Sequence, residues 1–278
     1  MNMKRLFNIV LGLSFVTICA FAKNSTDTLR VLAIGNSFSI DAMEYLDTIA
    51  KSQNKCLIYG NIVKGGCSLE RHANNIKESV KEYSYIKSVL GERTTTRMVN
   101  LNDFIDDEKW NCVSIQQVSH LQGMCNSYYP YIKEIISFLK NELNWNFQIY
   151  FHQTWAYPVY SEHKGFKYYH NDQREMLDSI NVNVSRVTKQ EKIKKIFFSG
   201  NAIQLLRETN GESVNRDGFH LNVLGRYAAA CVWYETLFKE SALKIKYKPS
   251  ELSEEEALAA KKAAHTAVKK GFKVNFSK

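Results

Sequence analysis

The stretch LRVLAIGNSFS, residues 29–39, decides the fold. Its first six residues are apolar except for Arg30, which is the pattern of a strand buried on both faces of a sheet. A polar turn containing Gly35 follows at once, and helical periodicity then extends over residues 42–53. A buried strand that runs through a short turn into a helix is the opening unit of an α/β fold.

The same alternation continues along the chain. Further apolar runs predict four more strands, at residues 56–62, 112–115, 147–151 and 195–199. Helices are predicted at residues 131–141, 176–189 and 222–238, and residues 69–90 have polar helical spacing around an extended middle. Alternating strands and helices form right-handed βαβ units. We therefore predict a three-layer α/β/α sandwich with a mainly parallel, five-stranded sheet.

The first 22 residues predict a secretory signal peptide. Lys4 and Arg5 precede an apolar run over residues 6–21, and small residues occupy the two positions read by a signal peptidase, ending at Ala22. The run is short for a membrane span, and no later stretch is apolar enough for one. The large Ile18 before Cys19 argues against a lipoprotein site. We expect cleavage after Ala22 and a secreted or periplasmic protein.

Residues 249–278 predict a separate C-terminal helix. Ser253 and Glu256 have the spacing of a capping box. Acidic residues lie in the first turn of the predicted helix, lysines lie toward its end at Lys270, and Gly271 is the expected end of the helix. We expect this helix to pack on the periphery of a domain that spans residues 23–248. A helix that binds a partner is the alternative.

Composition excludes several classes of protein. The chain is 45% hydrophobic and 23% charged with 13 Gly and 3 Pro, which excludes a disordered or collagen-like chain. The net charge of +9 comes from dispersed Lys and Arg without a zinc-finger or helix-turn-helix signature, so we expect no nucleic-acid partner. No two cysteines have the Cys-x-x-Cys spacing that is typical of a metal site, and most cysteines are expected in the core. The cysteines beyond the signal peptide are Cys56, Cys67, Cys112, Cys125 and Cys231.

The sequence DGFH, residues 217–220, combines a carboxylate and an imidazole before the helix at 222–238. Asp217 can accept the Nδ1–H of His220, which leaves Nε2 as a base. Ser37 follows the first strand, and a serine hydroxyl needs such a base to become a nucleophile. Backbone N–H groups at its turn can stabilise an oxyanion. This set of residues predicts nucleophilic serine chemistry.

Each of these residues also has a structural interpretation. Ser37 can cap the helix that follows it, and His220 can be a hydrogen-bonded turn residue. Gly66 can simply permit a positive φ. Gln116 and Gln117 can satisfy backbone groups at a strand end.

The order of these motifs resembles the SGNH (GDSL-like) hydrolases, and within them the bacterial DUF4886 domain. The resemblance covers roughly residues 29–238. The motifs that carry it are AIGNSFS at 33–39, GGCSL at 65–69, IQQ at 115–117, HQTWAY at 152–157, SGNAIQ at 199–204, and DGFHLN at 217–222 with Gly225.

The resemblance implies a flavodoxin-like sandwich and a Ser-His-Asp mechanism without a metal or organic cofactor. Ser37 matches the nucleophile, and its own N–H matches the first oxyanion donor. Gly66 matches the second donor. His220 matches the base, and Asp217 the residue that orients it.

Two positions depart from the family pattern. Asn36 stands where the first block usually has Asp, a residue outside the triad. The third block usually supplies an Asn side chain as the third oxyanion donor, and here the strand ends in Gln116-Gln117. Either Gln side chain can donate from one methylene further out, and Gln116 is favoured.

The expected function is a secreted serine ester hydrolase that removes a small acyl group, such as acetyl, from a carbohydrate. His152, Trp155 and Tyr157 are candidates for substrate binding, with packing in the core as their alternative. Alternative functions are a non-catalytic glycan-binding protein and a lipid-ester hydrolase. The expected partner is a small-molecule or glycan ester, and the oligomeric state stays open.

Overall fold

The computed structural model describes residues 28–276, so the predicted signal peptide lies outside the described residues. Within this range seven strands form one mixed sheet, in the order β4-β3-β2-β1-β5-β6-β7. The strands are β1 (Leu29–Gly35), β2 (Leu57–Val63), β3 (Tyr83–Val89), β4 (Glu92–Val99), β5 (Cys112–Ile115), β6 (Gln148–Gln153) and β7 (Lys195–Phe198).

The five predicted strands are the five parallel strands β2, β1, β5, β6 and β7. The prediction of a mainly parallel α/β sandwich is therefore confirmed, but the number of strands is wrong. Strands β3 and β4 add an antiparallel hairpin beside β2. The sequence pattern missed it because β4 is exposed along all but its last residue and has no buried face to create an alternation.

The helices of the described chain connect these strands and cover both faces of the sheet. They are α1 (Ser37–Met43), α2 (Leu46–Ser52), α3 (Leu69–Glu78), α4 (Ser119–Gln122), α5 (Tyr131–Glu142), α6 (Gln173–Gln190), α7 (Ser199–Asn210), α8 (Val223–Phe238) and α9 (Glu254–Lys270).

Two groups of helices form the outer layers. Helices α1, α2, α7, α8 and α9 contact one another, whereas α3 contacts α5 and α4 contacts α6. Right-handed crossovers put the two groups on opposite faces of the sheet. The buried residues of β1, from Val31 to Gly35, lie between these layers. The carboxyl ends of β1, β2 and β5 consequently meet at one edge, where their turns lie side by side.

The C-terminal helix α9 begins with the predicted capping box. The Ser253 hydroxyl accepts the Glu256 N–H at 3.1 Å, and the Glu256 carboxylate accepts the Ser253 N–H at 2.9 Å. A stripe of buried alanines faces α7 and α8, which allows close approach between the helices. In the described part of the chain, no helix combines the length and apolar character needed to cross a membrane.

Candidate active site

Asn36 connects strand β1 directly to helix α1. Its Oδ1 accepts the N–H of Phe38 at 3.0 Å, which caps the helix, and its Nδ2 donates to the carbonyl oxygen of Cys67 at 3.1 Å. Helix α1 therefore begins at Ser37, whereas the apolar periodicity predicts a helix only from residue 42. The start of the helix is set by the Asn36 cap, and a polar cap does not contribute to that periodicity. Ser37 is held at the carboxyl end of the central strand.

Ser37, His220 and Asp217 form a continuous chain of hydrogen bonds. The Ser37 Oγ lies 2.9 Å from Nε2 of His220, and Nδ1 of His220 lies 2.8 Å from Oδ2 of Asp217. The carboxylate holds the proton on Nδ1, so Nε2 has a lone pair directed at the serine hydroxyl. The structure thus brings together the three residues that the sequence predicts as a triad.

The charge of Asp217 is stabilised locally. Burial by itself raises the pKa of this carboxyl, but the backbone N–H of His220, its ring and the N–H of Phe219 outweigh burial and lower the pKa. The other oxygen, Oδ1, accepts both backbone N–H groups, at 2.6 Å from His220 and 2.9 Å from Phe219. The DGFH turn therefore keeps its carboxylate ionised and oriented.

Asp41, on helix α1, connects the serine helix to the histidine loop. Its buried carboxylate is 3.0 Å from Nη1 of Arg216 and 2.8 Å from Nε of Arg226. It also accepts the backbone N–H of Leu221 at 2.8 Å. These contacts come from both sides of His220 in the sequence. Asp41 is thus a positioning residue, and its role has no signal in the sequence because its partners lie far along the chain.

Gly66 lies in the turn after strand β2. Its φ of +63° is in the left-handed region, and a Cβ there would meet no atom within 4 Å. Glycine is thus favoured by backbone conformation, not by lack of space. The next residue, Cys67, donates its N–H to the Lys64 carbonyl at 3.1 Å and accepts from Asn36. The turn is therefore tied to the residue before Ser37.

The backbone N–H groups of Ser37 and Gly66 make no hydrogen bond with another group of the described chain. Both residues line one cavity of about 380 Å³, together with His220. Two unused donors beside a serine hydroxyl are the arrangement needed for an oxyanion.

The predicted third donor is not found where it was expected. The Gln117 Oε1 accepts the N–H groups of Leu69 and Val118, and its Nε2 donates to Ser127. Gln117 therefore connects loops, and its predicted place in the oxyanion hole is wrong.

Gln116 also has a supporting position. Its Nε2 donates to Oδ1 of Asn36 at 2.8 Å, and its Oε1 is 2.9 Å from Nδ1 of His152. The residue is buried and does not line the cavity. The prediction that Gln116 contacts the oxyanion directly is likewise corrected, because its amide holds the cap residue of the serine helix instead.

The predicted substrate-binding residues lie in the core. His152, Trp155 and Tyr157 are each 0% exposed, so they have no surface for a substrate. Trp155 stacks on Phe38 at 4.2 Å between ring centroids, and its Nε1 donates to the carbonyl oxygen of Phe219 at 2.8 Å. These residues support the walls of the site, and the interpretation as core residues applies.

Two other histidines, His120 and His163, line the cavity. Neither histidine is predicted as a site residue from the sequence. His120 follows strand β5 in the polar turn that contains Gln116 and Gln117, and this position was the available signal. His163 comes from the loop after strand β6, and its sequence context gives no comparable signal.

Comparisons with known proteins identify the family. Residues 30–267 match the family described as Domain of unknown function (DUF4886). A solved DUF4886 family protein from Bacteroides uniformis ATCC 8492 is 40% identical, with a TM-score of 0.87 over 90% of this chain and 98% of that chain. A GDSL-like lipase from Bacteroides thetaiotaomicron VPI-5482 is 12% identical, with a TM-score of 0.45 over 76% of this chain and 85% of that chain. An acetyl xylan esterase is 12% identical, with a TM-score of 0.46 over 74% of this chain and 98% of its own. No curated protein matches the chain. The family match and the first of these structures show that the chain belongs to the DUF4886 family.

Proposed function

We propose that the protein is a secreted serine ester hydrolase that uses Ser37, His220 and Asp217. The observation that carries this proposal is the hydrogen-bond chain from Ser37 Oγ through both nitrogens of His220 to the Asp217 carboxylate. A serine that only capped a helix would need neither an aligned imidazole nor unused backbone donors beside it.

The reaction follows from this geometry. Ser37 Oγ attacks the ester carbonyl carbon while Nε2 of His220 takes the hydroxyl proton. The N–H groups of Ser37 and Gly66 hold the negative oxygen of the tetrahedral intermediate. His220 then gives the proton to the leaving alcohol, and an acyl-serine ester remains. Water, deprotonated by His220, hydrolyses that ester and restores the enzyme.

The oxyanion site has two backbone donors, and neither Gln side chain adds a third. A missing donor costs about 10²–10³ in rate in comparable sites. We therefore expect a slower enzyme than one with a complete set of three donors. The missing third donor also supports the alternative, a non-catalytic glycan-binding protein. That alternative predicts that Ser37 does not react.

The proposed substrate is a small acyl ester, such as an acetyl ester, of a carbohydrate. A cavity of about 380 Å³ suits a small molecule. The predicted signal peptide favours a substrate outside the cytoplasm. A lipid-ester hydrolase is the second candidate, and it predicts faster cleavage of long-chain esters than of acetyl esters.

The test is hydrolysis of 4-nitrophenyl acetate by the purified protein and by Ser37→Ala. Ser250→Ala, an exposed serine elsewhere, is the matched control. We expect loss of activity in Ser37→Ala alone. A serine-directed phosphonate should label Ser37 in the native protein and in the control. Full activity in Ser37→Ala, or no hydrolysis together with no labelling, would refute the proposal.

A further inference from the structure

Five aromatic rings form a continuous row from the triad histidine to the protein surface. The centroids are 4.2 Å apart for His220 and Phe219, and 5.3 Å apart for Phe219 and His163. They are 5.2 Å apart for His163 and His120, and 6.3 Å apart for His120 and Tyr168. The first four residues line the cavity that contains the serine, and Tyr168 is 53% exposed. The row therefore leads from the reacting atoms to solvent.

Gly165 holds His163 and His120 beside each other. Its N–H donates to Nδ1 of His163 at 3.0 Å. A Cβ on Gly165 would lie only 2.3 Å from the Cβ of His120, so the two segments are in direct contact there. The Tyr169 hydroxyl also donates to the carbonyl oxygen of His120 at 2.9 Å. The positions of both imidazoles are thus set by the fold without a ligand.

Both imidazoles are neutral hydrogen-bond donors. Burial lowers the pKa of His163; burial, and next the repulsion that a protonated His163 would exert, lower the pKa of His120. Because Nδ1 of His163 accepts a backbone N–H, its proton is on Nε2. Nδ1 of His120 is buried without a partner among the described residues, and a buried N–H without an acceptor is disfavoured. The proton of His120 is therefore also on Nε2.

The reaction of the triad determines which part of the ester lies beside this row of rings. In ester hydrolysis, Nε2 of His220 must reach the oxygen of the leaving alcohol in order to protonate it. The alcohol part of the ester consequently lies on the His220 side of the cavity. Phe219, His163 and His120 continue from His220 along that side.

We propose that this row is the leaving-group subsite and that it binds a neutral sugar ring. Hydroxyl oxygens of the sugar accept hydrogen bonds from His163 and His120, and the apolar face of the ring rests on Tyr168. Uncharged donors beside an exposed aromatic face suit a polyol, whereas an alkyl chain would leave both donors unpaired. The leaving-group assignment rests on the proposed function, but sugar binding by the row does not.

The first test measures substrate preference. The ratio of kcat/KM for an acetylated methyl glucopyranoside to kcat/KM for 4-nitrophenyl acetate is compared between the native protein, His163→Ala and Tyr168→Ala. The ratio corrects for any general loss of activity in a variant. The loss of one hydrogen bond or one stacking contact should lower the ratio about tenfold. Tyr160→Ala is the matched control, because Tyr160 is also 53% exposed but is outside the row and does not line the cavity.

The second test measures binding without catalysis. Methyl glucopyranoside is titrated into Ser37→Ala, and into the same protein with Tyr168→Ala added, while NMR follows the histidine and tyrosine ring signals. We expect ring shifts at His163, His120 and Tyr168 in the first protein and an affinity weaker by up to about tenfold in the second, because one stacking contact is lost. Equal binding by both, no binding by Ser37→Ala, or an unchanged kinetic ratio in both variants would overturn the subsite. If Ser37→Ala keeps full esterase activity, the triad proposal fails while the binding test still decides this one.

Discussion

Replacing Asp41 by Asn should destabilise the protein and loosen the loop that carries His220. The buried carboxylate accepts hydrogen bonds from Arg216, Arg226 and the Leu221 backbone. Asn has nearly the same volume, but it lacks the negative charge and turns one acceptor into an NH₂ donor. At least one of the three donors would then face another donor inside the protein.

The expected loss is about 3 kcal/mol of unfolding free energy. Removing one partner of a buried ion pair typically costs about 3–5 kcal/mol. The lower figure applies because the side chains of Arg216 and Arg226 are 38% and 25% exposed and can turn toward water. For a chain of this size, about 1 kcal/mol corresponds to about 2–4 °C, so the melting temperature should fall by about 6–12 °C.

Thermal unfolding of Asp41→Asn and of Asp178→Asn measures this loss. Asp178 is the matched control, since its carboxylate is 64% exposed and 3.9 Å from Arg174, a contact worth little. Phosphonate labelling of Ser37 at a temperature where both variants are folded reports on the site. We expect slower labelling in Asp41→Asn, because His220 is less firmly held. A melting temperature within about 2 °C of the control would refute the positioning role.

Three further predictions concern the glycines and the buried histidines. Gly66→Ala should cost about 1 kcal/mol in chemical denaturation, because its φ of +63° strains an alanine while the space around it is open; an unchanged denaturation midpoint would contradict this. Gly165→Ala should lower the melting temperature, because the new Cβ and that of His120 cannot stay 2.3 Å apart, and unchanged stability would show that the contact relaxes freely. Burial lowers the pKa of His72 and His152 to about 3, so the unfolded chain binds more protons below the ordinary value of 6.5. Stability should therefore fall as the pH drops from about 6.5 toward 3, by up to about 1.4 kcal/mol per pH unit for each ring, and a flat profile of urea midpoints against pH would contradict this.

The parallel core of the fold could be predicted because its central strands β1, β2 and β5 are buried on both faces. Such strands are short apolar runs, and those at residues 29–35 and 112–115 stand out in the sequence. The hairpin of β3 and β4 could not be predicted in the same way. Its turn consists of Leu90 and Gly91, both with positive φ, and leucine is not a residue that marks such a turn. The threonines at 94–96 were the remaining hint.

The site could be predicted in part from the sequence. Ser37 begins helix α1, and Asp217 and His220 lie three residues apart in the turn before helix α8, so motif order was sufficient to bring them together. The roles of Gln116 and Trp155 depend on which way a side chain turns at a strand end, and this is decided by tertiary packing. The row from Phe219 to Tyr168 joins segments from different parts of the chain, so spacing carries no information about it.

Strand β4 has a consequence for how copies of this protein meet one another. It lies at the edge of the sheet, so its outer N–H and C=O groups could pair with a strand of a second molecule. Arg97 puts positive charge along that edge, and Met98, with a φ of +55°, interrupts the regular pleat near its end. Like charges facing each other and a broken pleat both oppose edge-to-edge association. Both features disfavour strand β4, which is exposed along all but its last residue, as a template for polymerisation and amyloid-like growth.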